Sequence, residues 1–255
     1  MSLRKICFLS LLLIPVFLFS GGQTEISQEN RIVYDIDNFN SIDGSAAFDI
    51  EVRQSDRFSL IVYADKSTAA KMLVEKRGRT LVLGMKPFSG PGWNKSPKAV
   101  ITMPELVSVE MSGASSMIAA GFRSDRSFSV DISGASSLEI DITASSADLE
   151  MSGASNLKAV LEVPEVRLEI SGSSDLELVG RGGRLKAKIS GASSGDLSDF
   201  KLSEASIDLS GSSDLTIRLD GKLDLDASGA SKLYYSGDVN LGSIELSGAS
   251  SLKER

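Results

Sequence analysis

The sequence predicts an all-β fold, a single-stranded parallel β-helix (β-solenoid) with about 19 residues per rung. Three observations support this prediction: a short motif that recurs along most of the chain, alternating apolar and polar residues on both sides of it, and the length of the repeat. A unit of this length cannot bury its own apolar face, so it has to stack on its neighbours, with strands about 4.8 Å apart.

The recurring motif is Ser-Gly-Ala-Ser, in which a serine sometimes replaces the alanine. Its glycines follow one another at intervals of 21, 19, 19, 19, 20, 18 and 19 residues, and they are Gly113, Gly134, Gly153, Gly172, Gly191, Gly211, Gly229 and Gly248. Glycine suits a sharp bend that requires a positive φ or leaves no room for a Cβ atom. We therefore expect these glycines to mark a structural corner rather than a binding site.

Apolar and polar residues alternate around each motif, as in Leu168-Glu169-Ile170 and Leu215-Thr216-Ile217-Arg218-Leu219. A period of two is typical of strands with one buried face. Each unit is thus expected to contain a strand, the corner, a second strand and a polar turn, with turns predicted at 162–165, 180–184 and 220–222. The bias of β-crossovers favours a right-handed coil. A left-handed coil fits less well, because the repeat does not divide into three hexapeptides.

A charged residue stands two positions before the first serine of every motif, and seven of the eight are acidic. The alternation of the strand predicts that these side chains point outward. This acidic column consists of Glu110, Asp131, Glu150, Glu169, Lys188, Asp208, Asp226 and Glu245. The interpretation we favour is a solvated face with local pairing to Lys or Arg. The alternative is a row of carboxylates that binds a divalent cation such as Ca²⁺.

Residues 1–22 have the pattern of a secretory signal peptide, with Arg4 and Lys5 before the apolar run from Ile6 to Phe19 and small residues at its end. We therefore expect export to the periplasm, the cell surface or the medium. No later segment is apolar enough to span a bilayer, so no transmembrane segment is expected after signal cleavage.

One continuous domain is expected from 31 to 255, after a lead-in at 23–30. Within it, 31–105 should form the atypical cap of the solenoid and 106–255 its regular part. The stretch 42–52 resembles a worn copy of the repeat.

Two further strands are predicted in the cap, at 58–64 and 81–85. A short helix is predicted between them from Ser67 to Lys76, with Ser67 as its cap.

The stretch from Lys86 to Lys98 contains three prolines, two glycines and the aromatic residues Phe88 and Trp93, so a loop is predicted. One hypothesis is that Phe88 and Trp93 contact a sugar or a peptide. The interpretation we favour is that Trp93 folds back over the end of the core.

Composition excludes several function classes. The sequence has no histidine, and its only cysteine, Cys7, lies in the signal peptide. Ser-His-Asp and Cys-His catalysis, disulfides and His- or Cys-ligated metals are therefore excluded, and neither a cofactor nor a metal is expected. The formal charge of −7 argues against nucleic acid as a partner.

The tandem Ser-Gly-Ala-Ser-x-Leu units resemble the GIN-domain family, the head domains of auto-transporter adhesins. The stretches 48–54 and 81–84 are similar to its N-terminal strand region, and the resemblance extends from about Val33 to Leu252. It implies an exported bacterial β-helix protein, and it implies no catalytic, cofactor or ligand residues.

The leading hypothesis is an exported, non-enzymatic adhesin-like or scaffold protein of the bacterial envelope, whose partner is an envelope protein, a polysaccharide or a second copy. The second copy would dock on the C-terminal end, where an open strand edge is expected beside Lys253, Glu254 and Arg255. The alternative is a polysaccharide-active β-helix lyase or hydrolase. Such an enzyme needs converging carboxylates in a cleft built by long loops, whereas these acidic residues repeat at one place in every rung.

Overall fold

The computed structural model describes residues 30–87 and 95–255. It is a β-solenoid of about eight turns with parallel stacking and about 19 residues per rung, so the predicted fold class is confirmed. The hand of the coil stays a prediction.

The described part of the chain contains one helix and a succession of strands that pair from rung to rung. The helix is α1 (Lys66–Lys71). The strands are β1 (Asn30–Tyr34), β2 (Ser41–Gly44), β3 (Asp49–Gln54), β4 (Ser59–Ala64), β5 (Met72–Arg77), β6 (Thr80–Met85), β7 (Lys98–Met103), β8 (Ser108–Met111), β9 (Ser116–Arg123), β10 (Ser127–Ile132), β11 (Ser137–Thr143), β12 (Ser146–Met151), β13 (Asn156–Ile170), β14 (Asp175–Ile189), β15 (Ser194–Leu209), β16 (Asp214–Ala227), β17 (Lys232–Ser236), β18 (Val239–Leu246) and β19 (Ser251–Glu254).

Each regular rung has two faces that meet at the Ser-Gly-Ala-Ser corner. The back face holds the strands before the corner, β8, β10, β12, the ends of β13 to β16, and β18. The front face holds the strands after it, β9, β11, the beginnings of β13 to β16, β17 and β19. All of these pairings are parallel, so equivalent residues form columns along the rod.

The second bend of the middle rungs differs from the prediction. The turns predicted at 162–165, 180–184 and 220–222 do not interrupt the strands, because β13, β14 and β16 run through them. The bend shows only as two consecutive exposed residues, Pro164 and Glu165, in an otherwise alternating strand. Backbone pairing continues on both sides of it, from Val163 opposite Gly182 to Glu165 opposite Arg184.

The core is one continuous cluster of buried apolar side chains between the two faces. Aliphatic side chains at the same position of different rungs, such as Leu138, Leu157 and Leu215, are completely buried. Burying each of them stabilises the rod by about 1.5–3 kcal/mol. Aromatic side chains concentrate near the N-terminal end, where the rings of Phe39 and Phe58 lie 5.0 Å apart.

The strand order of the cap does not follow the chain. The worn copy forms a rung of β2 and β3, which pairs in parallel with β8 and β9 on one side. On its other side lie β6 and β7, although both come later in the sequence. Antiparallel strands then close this end: β4 pairs with β7, β1 with β4, and β5 with β6.

The helix prediction was wrong in extent and in its cap. Asp65 is the N-cap, and its Oδ1 accepts hydrogen bonds from the backbone N–H groups of Ser67 at 2.8 Å and Thr68 at 2.9 Å. From Met72 onward the chain is strand β5, because pairing with β6 takes precedence over local helix propensity. No helix among the described residues is long and apolar enough to cross a membrane.

Candidate functional site

The residues of the corner motif make contacts that stabilise the fold. Its eight glycines have φ between 70° and 83°. A Cβ atom at Gly153 would lie 2.5 Å from the carbonyl oxygen of Gly134, and one at Gly172 would overlap that of Gly153. The backbone N–H of Ala154 donates to Gly134 at 2.8 Å, so the hydrogen-bond ladder continues through the corner.

The last serine of the motif closes the corner from inside. In the rungs that start at Ser112 to Ser228 it is buried, at Ser115, Ser136, Ser155, Ser174, Ser193, Ser213 and Ser231. Its hydroxyl donates to the carbonyl oxygen of the first motif serine, at 2.7 Å from Ser155 to Ser152 and 2.8 Å from Ser213 to Ser210. Among these seven serines of the described chain, Ser136 alone has an Oγ without a hydrogen-bond partner. The polar atoms of the corner therefore serve the fold.

A groove of about 640 Å³ runs along the back face beside the corner. Its walls are the acidic column from Asp131 to Asp226 and the first serines of five motifs, Ser152, Ser171, Ser190, Ser210 and Ser228. The column is in register, with Asp131 opposite Glu150, Glu150 opposite Glu169 and Lys188 opposite Asp208. Each rung thus places one charge and one serine at the same point of the groove.

Ion pairing within this groove is sparse. Glu169 accepts a hydrogen bond from the guanidinium of Arg167. No other carboxylate of the column forms an ion pair with a described residue, and the local pairing expected along this face is therefore largely absent. Residues 30–87 and 95–255 contain no cluster of three or more acidic side chains arranged to hold a metal ion.

The cap extends the column by one carboxylate that differs from the rest. Asp43 of β2 lies opposite Glu110. Burial raises the pKa of the Asp43 carboxyl, and the charge of Arg77 partly offsets this effect. A carboxylate-pair enzyme requires an acid and a base in different environments. In the regular rungs the carboxylates of the column instead recur at one position of the rung, and all of them except Glu169 are exposed.

Residues 38–239 match the family described as "Putative auto-transporter adhesin, head GIN domain". The chain belongs to this family. The resemblance seen in the motif residues is thereby confirmed. No curated protein sequence matches the chain.

Solved structures share the fold of this GIN-domain chain at low identity. A putative lipid binding protein from Parabacteroides distasonis is 19% identical with a TM-score of 0.83, covering 90% of this chain and 98% of its own. A putative adhesin from Parabacteroides merdae is 17% identical with a TM-score of 0.84, covering 90% and 97%. A putative adhesin from Bacteroides fragilis is 18% identical with a TM-score of 0.68, covering 89% and 97%.

The structure also brings together a basic column that the sequence analysis missed. Arg181, Lys201 and Arg218 lie opposite one another on β14, β15 and β16, where the front face meets the second bend. They follow their corner glycines by 9, 10 and 7 residues, and these unequal offsets hid the alignment. The register shifts in β14, β15 and β16 bring them level. The predicted contact residues, Phe88 and Trp93, lie outside the described residues.

Proposed function

We propose that the chain is an exported, adhesin-like binding protein of the bacterial envelope without enzymatic activity. The observation that carries this proposal is the repetition in the groove, where successive rungs present the same kind of side chain at the same point. A repeated surface suits an extended partner, whereas catalysis requires one singular group of residues. Membership of the adhesin family supports the same role. The signal-peptide pattern of residues 1–22 supports export.

Binding of envelope components to the purified chain from residue 23 onward tests this proposal. Envelope polysaccharides and extracted envelope proteins are immobilised separately, and retention of the chain is measured over a concentration series. We expect saturable binding to at least one class. If no polysaccharide, no protein fraction and no second copy of the chain is bound, the proposed function is wrong.

Self-association through the C-terminal rung is a finer part of the proposal. Among the described strands, β18 pairs only with β16 and β19 only with β17, so each has a free edge. Leu246 is 47% exposed, whereas Ala227, the residue opposite it in the preceding rung, is completely buried. Leu241 is 48% exposed, whereas Leu223 opposite it is completely buried. Such an edge is a template for another strand, and the charges of residues 253–255 oppose addition.

Light scattering over a concentration series tests this docking surface. We expect dimers, and we expect Leu241→Lys with Leu246→Lys to abolish them. The matched control is Ile118→Lys with Val160→Lys, because these two side chains are 48% and 46% exposed on the front face of other rungs. A monomer at all concentrations would contradict self-association. Dimers lost equally in both variants would place the contact elsewhere.

A further inference from the structure

The basic column is a row of like charges along the rod. Arg181 lies opposite Lys201, and Lys201 lies opposite Arg218. All three side chains are exposed. Neighbouring rungs are about 4.8 Å apart, and like charges directly opposite one another destabilise a sheet.

The surrounding chain does little to neutralise this row. Arg181 lies 3.6 Å from Glu162. Lys201 and Arg218 form no ion pair or side-chain hydrogen bond with any residue in the described part of the chain. The protein has a formal charge of −7, so acidic side chains are abundant. Two adjacent cations that form no ion pair with any acidic side chain described therefore need an explanation.

The next outward column, across the same bend, shows the opposite arrangement. Glu165, Arg184, Glu204 and Lys222 alternate in sign from rung to rung. Arg184 lies 3.9 Å from Glu165 and 3.1 Å from Glu204, and Lys222 lies 2.6 Å from Asp224. The fold can therefore pair its charges at this bend, and it does so in one column but not in the other.

We propose that the basic column binds an anionic polysaccharide that lies along the rod axis. The three side chains are exposed and lie in a row from rung to rung, an arrangement that favours an extended polymer over a small anion. A polysaccharide with one acidic group per sugar carries negative charges along its whole length, so its charge complements a row of cations. This inference rests on the proposed function and names the partner class.

Two other polyanions fit the column less well. An extended peptide gains much of its affinity by pairing with a free strand edge, whereas β14 and β15, which carry Arg181 and Lys201, are already paired on both sides. Duplex DNA repeats its phosphates at about 3.4 Å along each strand, and its dense charge would meet the acidic surface of this protein. Each of these polymers therefore serves as a competing ligand in the test.

Calorimetric titration of the chain from residue 23 onward with polygalacturonate tests the proposal, with dextran as the neutral polymer. We expect binding of polygalacturonate and not of dextran, weakened by added salt. Lys201→Gln with Arg218→Gln should weaken binding at least about tenfold. The matched control, Arg184→Gln with Lys222→Gln, removes the same charge from the paired column and should leave the affinity within about twofold. Circular dichroism melts show that both variants are folded.

Several results would overturn the proposal. These are no binding of polygalacturonate, an equal loss of affinity in the control variant, or tighter binding of polyglutamate or a DNA duplex. If polygalacturonate is not bound while envelope components still are, the basic column is not the site but the proposed binding function stands. If nothing is bound at all, both proposals are wrong.

Discussion

The cap and the regular rungs turn the same corner with different residues. In the regular rungs a glycine with positive φ stacks on another glycine. In the first rung Ala46 and Ala47 adopt φ of 59° and 64°, and Ala46 lies next to Gly113. An alanine can thus adopt the left-handed conformation, at a cost of about 1–2 kcal/mol. What excludes it from the regular rungs is the carbonyl oxygen of the preceding glycine, with which its Cβ would overlap.

The corner serine changes in the same way. The backbone N–H of Ser116 donates to Phe48, whereas in the regular rungs the equivalent N–H donates to the last serine of a motif. Phe48 therefore takes the serine position in the first rung, and it is almost completely buried. The repeat is strict where one Ser-Gly-Ala-Ser corner stacks on another, and it relaxes in the β2–β3 rung, whose outer neighbours are β6 and β7. Each prediction below compares two positions or two conditions on that basis.

The largest effect is expected at the stacked glycine. Gly172→Val should lower the free energy of unfolding by at least about 3 kcal/mol, through backbone strain and overlap with Gly153. Ala46→Gly, at the first corner, should change it by no more than about 1 kcal/mol. Denaturant melts measure both. Coincident melts of Gly172→Val and the wild type would show that the corner is not stacked in this way.

A smaller effect is expected at the corner serines. Ser155→Ala removes a hydroxyl that donates at 2.7 Å to Ser152, and it should cost about 1 kcal/mol. Ser136→Ala, one rung away in the same column, removes a hydroxyl without a hydrogen-bond partner and should cost less than about 0.5 kcal/mol. Equal costs in denaturant melts would mean that the hydrogen bond across the corner contributes nothing.

An effect of similar size but confined to the cap is expected at Asp65. Asp65→Ala removes the N-cap of α1 and should cost about 1 kcal/mol, seen as faster hydrogen exchange in β5 and β6. Hydrogen bonds from Thr68, and then from Ser67, lower the pKa of the Asp65 carboxyl. Its contribution should therefore be complete above the unfolded pKa and disappear as pH falls through the lower folded pKa. Exchange that accelerates equally in the regular rungs would contradict a local role.

The smallest effect is expected from calcium. The acidic column is exposed and forms no metal-binding cluster in the described residues, so millimolar calcium should leave the melting temperature unchanged. The control is the same titration with magnesium. A rise of several degrees with calcium alone would favour the alternative, a cation site along the groove.

Sequence periodicity predicted the rungs well because every rung is built from the same local pattern of residues. The corner, the alternation and the buried columns all follow from the spacing of the glycines. The cap escaped prediction because the position of β6 and β7 outside β2 and β3 is a long-range choice without a period. The basic column escaped for another reason, since β-bulges give Arg181, Lys201 and Arg218 different distances from their glycines.

The central claim is that this solenoid binds an extended polymer and does not cleave it. The most direct measurement incubates the chain with polygalacturonate and follows, in one sample, the bound polymer and the appearance of new reducing or unsaturated chain ends. The account predicts retained polymer and a constant number of chain ends. Chain ends that accumulate in proportion to time and protein, and that disappear when Asp208 or Glu169 of the groove is replaced by its amide, would contradict it.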